Sequence, residues 1–226
     1  MKLNSDFSQR VVVNPESLEW VDSPVPGIQR QLIERDGGEV ARATSIVRYA
    51  AGSIFKNHGH DLGEEIVVLN GVFSDESGSF WPGTYIKNPP GSSHAPSSVT
   101  GCTLFVKLRH LDPADSQRIV VDTRKAAWFA GLVPGLSVRP LSEFGSQHTA
   151  LVRWAPATRF NSHRHYGGEE IYVLEGVFED EFGRYPAGTW IRSPHLSAHR
   201  PFSVEGCTIF VKTGHLPIAP TDEALA

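Results

Sequence analysis

Several things are scarce in this chain, and each scarcity closes off a class of protein. No run of lysine or arginine occurs and the net charge is −4, so nucleic acid and anionic membrane are not expected partners; both demand a basic face. Nowhere do 18 apolar residues run together, and Met1 to Arg10 lack the apolar core of a signal peptide. The expected compartment is the cytoplasm. No nucleophile elbow or phosphate-cradling loop is present. No stretch keeps a helical period for three turns, Ala126 to Ala130 being too short to trust. Cysteine is limited to Cys102 and Cys207. A disulfide is the weaker reading and buried strand thiols the better one, with a redox or pocket-facing role left open.

What is abundant is turn chemistry. The chain has 21 glycines and 16 prolines, spread between short apolar or alternating runs instead of gathered in a linker. Ser45 to Tyr49, Glu65 to Leu69, Thr84 to Lys87 and Thr103 to Leu108 read as strands. Asp75-Glu76-Ser77-Gly78 and Asp180-Glu181-Phe182-Gly183 read as hairpin turns with glycine where a positive φ is wanted.

The chain is also one unit written twice. Gly63-Glu64-Glu65-Ile66-Val67-Val68-Leu69 is answered by Gly168-Glu169-Glu170-Ile171-Tyr172-Val173-Leu174, and Phe105-Val106-Lys107 by Phe210-Val211-Lys212, each 105 positions later. Upstream the offset is 108, pairing Arg10 with Arg118, Trp20 with Trp128 and Val25-Pro26-Gly27 with Val133-Pro134-Gly135. The change falls at Asp36-Gly37-Gly38, a turn where length is cheap to alter. The polar, proline-broken joint lies at Asp112 to Gln117. Two domains are therefore expected, residues 1–112 and 113–226.

Within the duplication stand two equivalent sets, His58, His60, Glu64 and His94, then His163, His165, Glu169 and His199. Three imidazoles and a carboxylate suit a divalent transition metal. His58 and His60 are two apart, so on a strand they leave one face, and Glu64, Ile66 and Val68 keep that parity. Glu65 has the other parity and is a poor direct ligand, though a fair supporting one. A barrel that closes on itself can bring His94 beside the first strand. Left without a cation, such inward clusters would carry several kcal/mol of desolvation cost per charged group.

These motifs resemble the cupin family. Gly52, His58-Gly59-His60, Glu64 and Gly71 match its first motif without a gap, and Gly83, Pro89-Pro90-Gly91 and His94 match its second. The asparagine that often ends the second motif is replaced by Ser98. In the later copy Ala157 stands for the first glycine and His195-Leu196 for Pro-Gly. The Trp…Pro-Gly opening, the Gly-Glu-Glu strand, Asp-Glu-x-Gly and the closing Gly-Cys-Thr-x-Phe-Val-Lys resemble the cupin-like domain of ChrR-type anti-sigma factors. That resemblance implies an all-β bicupin of two small jelly-roll barrels. Each would hold one metal (Zn, Fe, Mn or Ni) in His₃Glu coordination with positions open to a small ligand. The helical zinc module that grips a sigma factor in ChrR has no counterpart before Arg10, so direct sigma-factor binding is not expected; a homo-oligomer is compatible.

Two functional readings follow: a metal-binding bicupin that binds or senses a small ligand, and an Fe(II)-type dioxygenase or related oxidoreductase. Hydrolysis or isomerisation at Zn²⁺ or Mn²⁺ is a third. No general base stands out beyond the candidate ligands, apart from Tyr166 and Tyr172 in one copy, so catalytic residues stay unassigned. Arg164, Tyr166 and Arg200 replace Gly59, Asp61 and Ala95. They either favour an anionic ligand at the second site or are solvated side chains. His110, His215, His148 and His195 read as surface or capping groups, and Trp81, Trp190, Tyr85, Tyr172 and Phe105 as barrel filling.

Overall fold

The computed structural model describes residues 1–218, so the last eight residues of the expected second domain lie outside the described residues. The all-β expectation holds: the only helical element among the described residues is a single 3₁₀ turn at Pro15–Ser17. The chain forms two compact units.

In the first unit, antiparallel strands lie in the order Lys2–Leu3, Ile28–Gly37, Ala41–Tyr49, Cys102–Leu108, Glu64–Gly71, Thr84–Asn88 and Ile119–Asp122. A smaller sheet of Gly78–Phe80, Phe73–Asp75, Ser97–Ser98 and Ser53–Ile54 accompanies it, with a two-stranded ribbon of His58–His60 and Ser92–His94. The second unit repeats the plan with Leu136–Phe144, Gln147–Trp154, Cys207–Thr213, Glu169–Asp180, Trp190–Ser193 and Val11–Val13, and the ribbon His163–Arg164 with Ala198–His199.

The compact units and the sequence repeats divide the chain differently. Expectation put the boundary between residues 112 and 113. The first unit comprises Met1–Ser5 and Pro15–Ala126, and the second comprises Asp6–Asn14 and Ala127 onward. Each repeat thus lends its leading strand. Val11–Val13 pairs with Trp190–Ser193, and Ile119–Asp122 pairs with Thr84–Asn88. The physical reason is that a strand completes whichever sheet offers it an unpaired edge, and repeat boundaries do not record that choice.

Period-2 alternation sorts the side chains. Ile66, Val68, Ile86, Leu104 and Val106 form one core cluster with Ile28, Tyr49 and Phe73; Ile171, Val173, Ile191 and Ile209 form the equivalent with Trp154 and Phe178. Burying one such aliphatic side chain is worth roughly 1.5–3 kcal/mol. The opposite parity is also buried. Glu65 is 1 % exposed and accepts a hydrogen bond from Tyr85 at 2.7 Å. Trp190 Nε1 donates to Glu170 in the same way at 3.3 Å.

Both long central strands carry a bulge. The pairing of Glu64–Gly71 with Cys102–Leu108 skips Leu69, and that of Glu169–Asp180 with Cys207–Thr213 skips Leu174. Just beyond, Gly71 has φ +71°, and a Cβ there would meet Gly101 O at 2.1 Å. Only glycine fits that turn.

Other expectations divide. Cys102 and Cys207 are free and buried, and burial pushes the Cys207 thiol up to about 11. The two hairpins form, Asp75 facing Gly78 and Asp180 facing Gly183. Gly78 takes φ +141°. Gly183 does not take a positive φ, and Asp180 Oδ1 accepts from the amides of Phe182 and Gly183. His110 and His215 are buried, not surface groups: His110 Nε2 meets Ala43 O at 3.2 Å and His215 Nε2 meets Glu170 Oε1 at 3.0 Å. Trp81, expected inside, is 50 % exposed. Trp190, Tyr85, Tyr172 and Phe105 are buried as expected.

Candidate metal centres

Each two-stranded ribbon sets histidines side by side. His94 lies directly opposite His58, and His199 opposite His163, so the strand that arrives late does close beside the first. His60 and His165 follow on the same faces, and Glu64 and Glu169 open the next strands. Ring centroids in the first set are 4.8, 5.1 and 4.9 Å apart. In the second they are 4.6, 4.9 and 4.9 Å apart. In each set the three imidazoles bring one nitrogen apiece within 4.8 Å of the others.

The carboxylates complete the convergence. Glu64 Oε2 is 3.5 Å from His60 Nε2 and 3.5 Å from His94 Nε2. Glu169 Oε2 is 3.5 Å from His165 Nε2 and 3.6 Å from His199 Nε2, and those two nitrogens are 3.0 Å apart. These separations are long for hydrogen bonds to oxygen. They are what neighbouring donors show around one ion at bond lengths of about 2.0–2.2 Å.

Electrostatics points the same way. Burial holds His60 down to about 4 and His165 down to about 3, so these rings are neutral and offer lone pairs. His58, His163 and His94 are lowered too, chiefly by burial. Burial raises Glu64, and it pushes Glu169 up to about 7. Buried atoms with no hydrogen-bond partner among the described residues include His60 Nε2, His94 Nε2 and Glu169 Oε2. An orphaned buried polar atom costs about 1–3 kcal/mol, and a bound cation would satisfy several at once. The residues therefore fit a divalent transition ion.

Supporting groups fix the rings. His58 Nδ1 donates to Lys56 O at 3.0 Å and His163 Nδ1 to Asn161 O at 2.9 Å, leaving each Nε2 free to ligate. Behind His94 Nδ1 stands Asp75 Oδ2 at 3.5 Å, and behind His199 Nδ1 stands Asp180 Oδ2 at 3.6 Å. Arginines from the exchanged leading segments hold both aspartates: Arg118 Nη2 reaches Asp75 at 3.3 Å and Arg10 Nη2 reaches Asp180 at 3.0 Å. Arg118 Nε also donates to Asn88 Oδ1 at 3.2 Å, and Asn88 Nδ2 donates to Glu64 Oε2 at 3.1 Å. In the second unit Ser193 stands at the position of Asn88, and Glu169 Oε2 lacks that donor.

Asp75, Asp180, Asn88, Arg10 and Arg118 were not singled out from the sequence as site residues. The signal was there: Asp75 and Asp180 keep the 105 offset, and Arg10 and Arg118 the 108 offset. Arg164 is exposed and donates to Leu196 O at 3.2 Å, and Arg200 is exposed. His195 caps a turn, its Nδ1 accepting from Gly167 N at 2.8 Å.

A cavity of about 280 Å³ opens onto the first cluster. His58, His60, Glu64 and His94 lie along it, and Val25, Ile28, Val47, Phe55, Leu104 and Leu108 give it an apolar wall.

Two β-barrel-like units, each with an HxH ribbon, a following glutamate and a histidine on the returning strand, define a tandem cupin. The chain belongs to the family of the ChrR cupin-like domain, whose sequence model matches residues 8–112 and again 116–217. Solved structures agree at the level of fold. A Nostoc punctiforme protein provisionally described as a dioxygenase is 15 % identical, with a TM-score of 0.78 over 95 % of this chain and 86 % of its own. A cupin 2 conserved barrel domain protein of Leptotrichia buccalis is 10 % identical, with a TM-score of 0.64 over 94 % and 99 %. Oxalate decarboxylase of Lactobacillus farciminis, in a formate complex, is 12 % identical, with a TM-score of 0.61 over 94 % and 91 %. Among proteins with curated descriptions, none matches this sequence. No helix among the described residues is long and apolar enough to cross a membrane.

Proposed function

We propose that this protein is a divalent-metal-binding bicupin of the cytoplasm that holds one transition ion per domain and presents it to a small ligand. His58, His60, Glu64 and His94 would hold the first ion, and His163, His165, Glu169 and His199 the second. The observation that carries this reading is the double convergence of imidazole nitrogens and a carboxylate, with buried polar atoms that no described residue satisfies. Zinc, iron, manganese and nickel all suit such nitrogen and oxygen donors. When bound, the ion supplies Lewis-acid polarisation and, if iron or manganese, electron exchange with an oxidant.

The apolar cavity over the first cluster favours a second reading, a metal-dependent oxygenase or related oxidoreductase acting on a small organic molecule. Its walls exclude water from the ligand's body, while His58, His60, Glu64 and His94 fix the reactive end. The dioxygenase and decarboxylase descriptions of the structural neighbours are consistent with that reading. Direct binding of a sigma factor is not part of the proposal.

Elemental analysis of the purified chain should find close to two equivalents of transition metal, and His58→Ala with Glu64→Gln should remove about half. A metal-free wild type that takes up none on reconstitution would defeat the proposal. Oxygen uptake by the Fe(II)-loaded protein across small diketones and aromatics separates enzyme from sensor.

A further inference from the structure

One position of both repeats puts an aromatic O–H or N–H near the candidate metal centres. Tyr49 ends the strand Ala41–Tyr49 and pairs with Cys102; 105 positions on, Trp154 ends Gln147–Trp154 and pairs with Cys207. Tyr49 is 8 % exposed and lines the cavity with His58, His60, Glu64 and His94. Trp154 is 5 % exposed, and its Nε1 is buried with no partner. Buried Tyr and Trp ordinarily satisfy these groups.

Both rings are anchored by the aromatics that pack on the histidines. Tyr49 meets Phe73 at 6.0 Å, and Phe73 meets His94 at 6.1 Å. Trp154 meets Phe178 at 5.8 Å and Phe160 at 6.5 Å; these meet His199 at 6.2 Å and His163 at 5.0 Å. Burial and the nearby Glu64 carboxylate make the Tyr49 hydroxyl hold its proton more tightly than a free phenol, so it is present as a donor. One position of both repeats thus carries an aromatic donor: Tyr49 on the cavity wall shared by the first His₃Glu cluster, and Trp154, its buried Nε1 without a partner, one ring away from His163 and His199.

We infer that Tyr49 and Trp154 are ligand-positioning donors, and that each site takes a small molecule with an apolar body and two acceptor oxygens. One oxygen goes to the metal and the other accepts from the aromatic O–H or N–H. A carboxylate is the simplest such group. The inference rests on the metal reading above. Tyrosine can also accept a hydrogen bond whereas indole only donates, so the second site is the stricter of the two for an acceptor.

The test uses the full chain loaded with Co(II), with the second set disabled by His163→Ala and His165→Ala. Metal content is measured first: failure to retain about one equivalent defeats the metal reading itself, and this inference with it. Visible spectra then follow titration with pivalate, a two-oxygen ligand, and imidazole, which ligates but offers no second acceptor. Tyr49→Phe should weaken pivalate about tenfold or more, the usual scale for a hydrogen bond to a charged acceptor, and leave imidazole unchanged. Trp154→Phe should do the same in the complementary background of His58→Ala and His60→Ala. Equal loss for both probes would mean only that the pocket changed shape, and no loss would mean no donor is used; either result overturns the assignment.

Discussion

Replacing Arg118 with glutamine should weaken metal binding at the first centre selectively. Arg118 touches none of the four candidate ligands. It acts through Asp75, which stands behind His94, and through Asn88, which donates to Glu64. The Asp75 side chain is 2 % exposed and the Arg118 side chain 39 %, so the ion pair is screened on one side only. Losing it leaves a buried carboxylate short of its counter-charge and frees the Asn88 amide to rotate. About 1–2 kcal/mol is a reasonable cost, or roughly five- to thirtyfold in affinity, within the usual range for supporting groups around a metal. The matching change, Arg10→Gln, should cost less. Both aspartates keep local donors, Asp75 the Ser77 amide and Asp180 the Tyr185 hydroxyl and the amides of Phe182 and Gly183, but only Arg118 also holds an amide that donates to the glutamate, since Ser193 stands where Asn88 does. Competition against a chromophoric chelator reads both affinities on one chain. Equal losses at the two centres in Arg118→Gln, or none at either, would refute the idea that this arginine orients ligands of the first.

Two further outcomes follow from burial and backbone shape. In metal-free protein, His60 and His165 resist a proton that the unfolded chain accepts near 6.5. Their contribution to stability is complete above that pH and is lost as pH falls toward 4 and then 3. The urea midpoint should drop between pH 7.5 and 5, less steeply in His60→Gln with His165→Gln; identical slopes would contradict this. Gly71→Ala should destabilise by about 3 kcal/mol or more, since its Cβ meets a carbonyl at 2.1 Å. Gly91→Ala, at φ +79° with nothing within 4 Å, should cost only about 1 kcal/mol. Denaturant titration ranks the pair, and a reversed order would show the bulge turn to be malleable.

The candidate ligands were readable because duplication writes each of them twice and strand parity assigns them a face. Ile66 and Val68 follow Glu64 into the core for the same reason. Glu65 and Glu170 were less legible, because parity says that they leave the cluster but not that Tyr85 and Trp190 receive them. Asp75 and Asp180 were read only as turn formers. A carboxylate in a hairpin satisfies local amides in either case, and nothing local says that its second oxygen faces a histidine. His110 and His215 looked peripheral since they end strands. Sequence position at a strand end does not determine depth.

The reciprocal loan of leading strands has a consequence for anyone dissecting the molecule. A cut between residues 112 and 113, the natural choice from the repeats, would strip the first centre of Arg118 and leave Thr84–Asn88 with an open hydrogen-bonding edge. The amino-terminal piece would at the same time carry off Arg10 and Val11–Val13, which belong to the other half. Either fragment would be an unfinished barrel, so a chain carrying a single copy of this repeat must borrow that strand from a sibling molecule or fold its own back into place.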